Sequence, residues 1–184
     1  MHASEAHPSG LQTVGSVMVV GGGVAGVQAA LDLTELGLKV YLVEKSGAIG
    51  GVMARLDKTF PTNDCSLCIL APKLVEAGRD PNIVILTLSE LIALEGEAGR
   101  FTAKIRKQPR YIDEEICTGC GQCTLYCLKQ IGDEYNENLA STNAAHIDYA
   151  QAVPTSYHID AKACLKLNYD TCGLCAVACQ AGAI

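Results

Sequence analysis

The chain has 184 residues, 49% of them hydrophobic and 18% charged, with a net charge of -6 and ten cysteines. That length holds one ordinary domain or one domain with a small appendage, and the composition is that of a chain able to bury a core. An acidic balance with no basic, aromatic-rich cluster excludes non-specific nucleic-acid binding, which needs cations to replace phosphate counterions.

Residues 1–15 are read as a leader, and its Met1 to Gly10 holds no Lys or Arg and no apolar core, so it does not read as a secretory signal. The longest apolar stretch, Ile83 to Leu94, is broken by Thr87, Ser89 and Glu90. It falls short of the roughly 20 residues that a membrane span needs. A soluble, cytoplasmic protein is the expectation. In a reducing compartment grouped cysteines bind metal or do redox chemistry more often than they form disulfides.

Val17-Met18-Val19-Val20 reads as a buried strand running into Gly21-Gly22-Gly23-Val24-Ala25-Gly26. A helix is predicted over Val27 to Leu36, closed by Gly37. Val40 to Val43 is the second strand and ends on Glu44, followed by Lys45. This βαβ opening predicts a Rossmann-like α/β fold with a parallel sheet. Gly21, Gly23 and Gly26 satisfy G-x-G-x-x-G. The first glycine permits the turn, the second lets backbone approach a pyrophosphate, and the third lets helix pack on strand. The helix N-terminus then offers free N–H groups to the anion. Glu44 stands about 20 residues on, where an acid hydrogen-bonds a ribose hydroxyl. Gly50-Gly51 gives a second close backbone approach and resembles flavoproteins of the two-dinucleotide-domain kind, a resemblance that favours FAD over NAD.

Residues 47–64 read as irregular, with a helix predicted from Pro72 to Ala77 and closed by Gly78. Ile83 to Leu88 reads as a strand, and Leu91 to Glu95 with Phe101 to Arg106 as a hairpin. A boundary is placed near Gln108-Pro109, giving a partial dinucleotide-binding domain at 16–108 and a cysteine-rich domain at 109–184.

The cysteine-rich part holds Cys117-x2-Cys120-x2-Cys123-x3-Cys127 and Cys164-x7-Cys172-x2-Cys175-x3-Cys179, a weak internal repeat. The first run has the bacterial ferredoxin spacing, in which the fourth cysteine reaches the other cluster. Crossed in that way, Cys117, Cys120, Cys123 and Cys179 hold one [4Fe–4S] cluster, and Cys164, Cys172, Cys175 and Cys127 hold the second. Structural zinc sites also use four thiolates, but rarely at consecutive x2 gaps followed by x3. The proline that usually follows the fourth cysteine is absent, with Leu128 and Gln180 in its place. Cys65 and Cys68 admit three readings: a redox dithiol near the flavin, part of a further cluster, or inert buried thiols. His2, His7, His146 and His158 show no metal spacing and read as ordinary surface or loop residues. Tyr111, Tyr126, Tyr135, Tyr149, Tyr157 and Tyr169 are expected to pack around the cysteine-rich domain.

These features together resemble the flavin and iron–sulfur subunit of the heterodisulfide reductases. The resemblance rests on Gly21 to Gly26 with Glu44-Lys45, on Asp64 to Lys73, and on Pro81-Asn82-Ile83. It continues through Lys107 to Tyr111, Cys117 to Cys127, Gln151 to Pro154 and Cys164 to Ile184. It implies a thioredoxin-reductase-like FAD domain interrupted by a small α+β ferredoxin-like domain with two [4Fe–4S] clusters. It also implies an oxidoreductase working with the other subunits of an electron-transfer, even bifurcating, complex. It makes Cys65 and Cys68 further cluster ligands. In that family the flavin domain resumes after the ferredoxin insert, which implies a polypeptide completing it beyond Ile184. The alternative is an electron-transfer and scaffold module whose partial flavin fold binds no FAD alone.

Overall fold

The computed structural model describes residues 15–184. The leader expected at 1–15 therefore lies almost wholly outside the described residues.

Strand β1 (Ser16–Val20) leads through the glycine turn into helix α1 (Val24–Glu35), and strand β2 (Lys39–Val43) follows. Helix α2 (Ser66–Arg79) then leads into strand β3 (Ile83–Leu86). The three strands form one parallel sheet in the order β1-β2-β3, with Val20 opposite Val43 and Val43 opposite Leu86. Successive strands step one way across the sheet, and a common crossover hand puts both helices on one face. There they touch, with Lys73 Nζ donating to Gln28 Oε1. Val27, Ala30 and Leu31 of α1 and Leu70, Leu74 and Ala77 of α2 are buried with Val40 and Leu42 from β2. Each large apolar side chain buried here stabilises the fold by about 1.5–3 kcal/mol. The outer edge of β1 pairs with nothing among the described residues, and Val20 and Val24 are exposed there.

Helix α2 starts six residues before the predicted Pro72 and runs through Gly78. The missing proline N–H costs one hydrogen bond, whereas the face carrying Ser66, Leu70, Leu74 and Ala77 is buried along its whole length. Packing outweighs the breaker. The segment read as irregular contains a 3-10 turn at Gly51–Arg55. Beyond β3, strands β4 (Ser89–Glu97) and β5 (Arg100–Lys107) form the predicted hairpin, turning at Ala98-Gly99, with a bulge at Ile92.

The cysteine-rich part is built of short pieces. They are α3 (Gln122–Leu125), β6 (Gln130–Gly132), β7 (Ser141–Asn143), β8 (Ala145–His146), β9 (His158–Ile159), α4 (Leu165–Tyr169) and α5 (Leu174–Ala178). Strands β6 and β7 pair antiparallel, as do β8 and β9. A second core gathers Ile112, Cys123, Ala145, Ile159, Cys164 and Ala183. Its ends are tied where Asp113 N–H donates to Ala183 O at 2.7 Å.

The tyrosines do not all serve that second core. Tyr157 packs on it, but Tyr135 and Tyr149 stack on each other and pack against the first core. Their hydroxyls donate to Ala54 O and Ile49 O. Tyr111, Tyr126 and Tyr169 are exposed. A buried phenol needs an acceptor, and the loop after β2 supplies two carbonyls.

Candidate dinucleotide and cysteine sites

The glycine turn has the geometry its spacing predicts. Gly21 sits at φ +103°, a backbone conformation that side chains rarely adopt. A Cβ on Gly26 would lie 1.9 Å from Gly21 O, so the third glycine is what lets α1 lie against the turn. A Cβ on Gly21 or Gly23 would meet nothing within 4 Å. The outer side of the turn is therefore open. Gly23 caps α1 without a side-chain hydrogen bond, which leaves the Val24, Ala25 and Gly26 N–H groups as the free donors of the first turn. Lys45 is exposed beside Glu44.

Glu44 is buried, and its carboxylate fastens the turn to the end of β2. Oε2 accepts from Gly22 N–H at 2.7 Å, while Oε1 accepts from Ser46 N–H at 2.9 Å and Ser46 Oγ at 2.8 Å. Each carboxylate oxygen can take about two hydrogen bonds, so Oε2 keeps one acceptor position that the described residues do not use. Gly50 and Gly51 lie along the same turn. Gly50 N–H donates to Gly22 O at 2.7 Å, and a Cβ on Gly51 would come within 2.9 Å of Gly23 Cα. The close approach read from the sequence is made here to the first glycine turn itself.

The two quartets meet in one small core. Cys123 and Cys164 are buried in it, with Cys117, Cys127, Cys175 and Cys179 packed around them. A single cavity is lined by Cys127, Cys164, Cys172 and Cys175 together. Cys127, Cys164 and Cys172 lie near enough to Cys175, and Cys117 and Cys120 to Cys123, to add to the rise of those two thiols. Burial, above all, pushes the Cys123 thiol up to about 11 and raises Cys175 as well. Cys120 is exposed, and its thiol is lowered chiefly by a hydrogen bond from the Gln122 backbone. Cys179 Sγ accepts from Ala183 N–H at 3.3 Å. Gly119 and Gly121 both take positive φ between the cysteines of the first run, so the chain can wrap tightly there.

Cys65 and Cys68 are joined as a disulfide at the start of α2. Both are exposed, so the reading of inert buried thiols does not hold. The exposure follows from position, because the pair forms the cap and first turn of α2, ahead of its buried face.

Two features escaped the sequence reading. Arg110 is buried, with Nη2 donating to Gly47 O and Thr87 Oγ1 at 2.7 Å each. Its Nη1 donates to Ser156 O at 2.9 Å, and Nε lies 3.2 Å from Glu114 Oε2. Nor are His146 and His158 surface residues. Their rings stand 4.3 Å apart on β8 and β9, and His158 Nε2 lies 3.6 Å from Asp148 Oδ1. Burial, helped by His146 and Arg110, pushes His158 down to about 3. Burial raises Asp148, opposed by His146, Arg110 and the Gly47 and Ala48 N–H groups. Residues 12 apart on separate strands leave no spacing motif; only the β8–β9 pairing of His146 with His158 unites them.

The FAD dependent oxidoreductase family matches residues 16–65, the stretch holding the glycine turn and Glu44. A CoB–CoM heterodisulfide reductase iron-sulfur subunit of Methanocaldococcus jannaschii is 50% identical over 92% of this chain. The corresponding subunit of the H2:CoB–CoM heterodisulfide, ferredoxin reductase of Methanothermobacter marburgensis is 48% identical over 91%. The chain is homologous to this heterodisulfide reductase subunit. A protein of Archaeoglobus profundus described as like the same heterodisulfide reductase subunit is 52% identical over 82% of the chain. The chain spans 25% of the length of the first two of these relatives and 22% of the third. Among solved structures, L-proline dehydrogenase from P. horikoshii matches 53% of this chain and 20% of its own, at 24% identity and a TM-score of 0.43. A likeness that slight carries no argument. The Rossmann-like fold rests instead on the parallel β1-β2-β3 sheet, its glycine turn and the family match. No described helix is long and apolar enough to cross a membrane.

Proposed function

We propose that the chain is an electron-transfer component of a heterodisulfide-reductase-like oxidoreductase, with an FAD site at the glycine turn and two [4Fe–4S] clusters on the cysteine quartets. The observation that carries the reading is the cavity lined by Cys127, Cys164, Cys172 and Cys175. Three of these come from the second run and the fourth from the first, as the ferredoxin crossover requires. Cys117, Cys120, Cys123 and Cys179 are then left for the other cluster.

The residues around the glycine turn fit a dinucleotide. Open space beside Gly21 and Gly23, uncapped N–H groups at Val24, Ala25 and Gly26, and the spare acceptor of Glu44 suit a pyrophosphate and a ribose. Gly50 N–H braces that turn through Gly22 O, with Gly51 close against Gly23. Bound, FAD supplies paired-electron exchange and the clusters single-electron relay, while the protein contributes position and tuning. Burial of Cys123 and Cys175 opposes an unpaired thiolate, so iron must displace their protons on binding. Cys65 and Cys68 serve in this reading as a further ligand pair once reduced. The partners are the remaining subunits of such a complex, and the setting is the reducing cytoplasm. The small domain at 109–184 is a ferredoxin-like insert in that scheme.

The test is anaerobic purification with iron, sulfide and flavin measured together. About eight irons (two cubanes) with bound FAD support the reading; a colourless, sulfide-free protein sinks it. Cys127→Ser and Cys172→Ser should remove the same cluster signal in electron paramagnetic resonance, and Cys120→Ser the other, with flavin unchanged in all three. A second reading has one observation in its favour, the exposed Val20 and Val24 beside the unpaired edge of β1. There the flavin fold stays empty alone and the chain acts as an electron-transfer module; full iron without FAD would favour it.

A further inference from the structure

His146, Asp148 and His158 are used neither by the glycine turn nor by the cysteine quartets. We propose that these three side chains bind a borderline divalent transition cation of the Zn2+ class, clipping β8 and the segment after it to β9 beneath the loop that follows β2. One donor atom from each residue lies within 4.8 Å of the other two. The 3.6 Å between His158 Nε2 and Asp148 Oδ1 is already close to a tetrahedral edge. Bonds of about 2.1 Å to nitrogen and oxygen place neighbouring donors roughly 3.4 Å apart. Two imidazoles and one carboxylate form the donor set that such cations prefer.

A second observation points the same way. Nδ1 of His146 and Nδ1 of His158 are both buried with no hydrogen-bond partner among the described residues. Buried polar atoms are normally paired; the unused Nδ1 of His146 is free to take the cation, while His158 would use the Nε2 that faces Asp148. The site is also shaped from outside. A Cβ on Gly47 would fall 2.6 Å from His158 Cε1, 2.7 Å from its Nδ1 and 2.9 Å from Asp148 Oδ1. Only glycine lets the loop close over His158 and Asp148 together. Arg110 stands near, but its charge is answered by Glu114 at 3.2 Å. With Arg110 and Glu114 cancelling, Asp148 leaves one net negative charge to meet the cation.

Free cysteine thiolates can also take up zinc, so the test must tell the two donor sets apart. The full chain, purified anaerobically, is dialysed against Zn2+, and its zinc, iron and sulfide are measured together with zinc-edge X-ray absorption. The expected result is one zinc per chain in a shell of nitrogen and oxygen at about 2.0–2.1 Å, with iron and sulfide unchanged. His158→Ala and Asp148→Asn should each lose that zinc and keep their iron, which shows that both variants fold. His146→Gln provides a third, milder loss. Failure to retain zinc, a sulfur shell at about 2.3 Å, or zinc kept in the variants would each overturn the proposal.

Discussion

At the scale of single residues, Gly26 carries a sharp constraint. Its missing Cβ would sit 1.9 Å from a backbone oxygen, which has no flexible side chain to move aside. Gly26→Ala should therefore destabilise the fold by about 1–3 kcal/mol, the cost of overpacking a close contact. Urea unfolding of the variant measures it, and an unshifted midpoint would mean that α1 is not held against the turn. Glu44 shows how a residue read for one task is found engaged in another. Its sequence position marks a ribose acceptor, yet two of its contacts are to Ser46 and one to Gly22. Those contacts could not be read from spacing, because they depend on how the chain folds back after β2.

At the scale of elements, α2 is the instructive case. Pro72 and Gly78 argue locally for a short helix, and propensity puts their combined cost at several kcal/mol. Leu70 and Leu74 are each 0% exposed, and that burial outweighs the local preference. Leu74→Ala should cost about 2–5 kcal/mol, read as a shift in the denaturant midpoint. Leu36, 76% exposed just past α1, is the control: Leu36→Ser should stay within about 0.5 kcal/mol. The strands and the β4–β5 hairpin were legible because short apolar runs and a glycine-bearing turn act locally. The pieces of the cysteine-rich part were not, since helices of four or five residues carry no periodicity to detect.

At the scale of the whole molecule, the boundary expected near Gln108-Pro109 coincides with the end of β5, yet the chain returns across it. Ile49 N–H donates to Val153 O at 2.9 Å, and Val153 packs on the first core. Arg110 joins Gly47 and Thr87 on one side to Ser156 on the other. Removing a buried, paired charge strands its partners, so Arg110→Met should destabilise by about 3–5 kcal/mol. Arg110→Lys should recover only part of this, because lysine lacks the planar fork that reaches several acceptors at once. Thermal unfolding followed by backbone and by cluster absorbance would check it. Equal loss in both signals is the expected outcome, and loss of the cluster signal alone would mean that the two cores are not coupled through Arg110.

The sequence by itself determined the βαβ opening, the glycine turn with Glu44 and the two cysteine quartets, because each depends on residues at short, fixed spacing. Only the tertiary structure decided what joins the two parts. The Arg110 fork, the stacked Tyr135 and Tyr149, and the meeting of His146, Asp148 and His158 all draw on residues far apart in the chain. Arg110 and the two tyrosines bond largely to backbone carbonyls, which every residue carries and no sequence pattern marks.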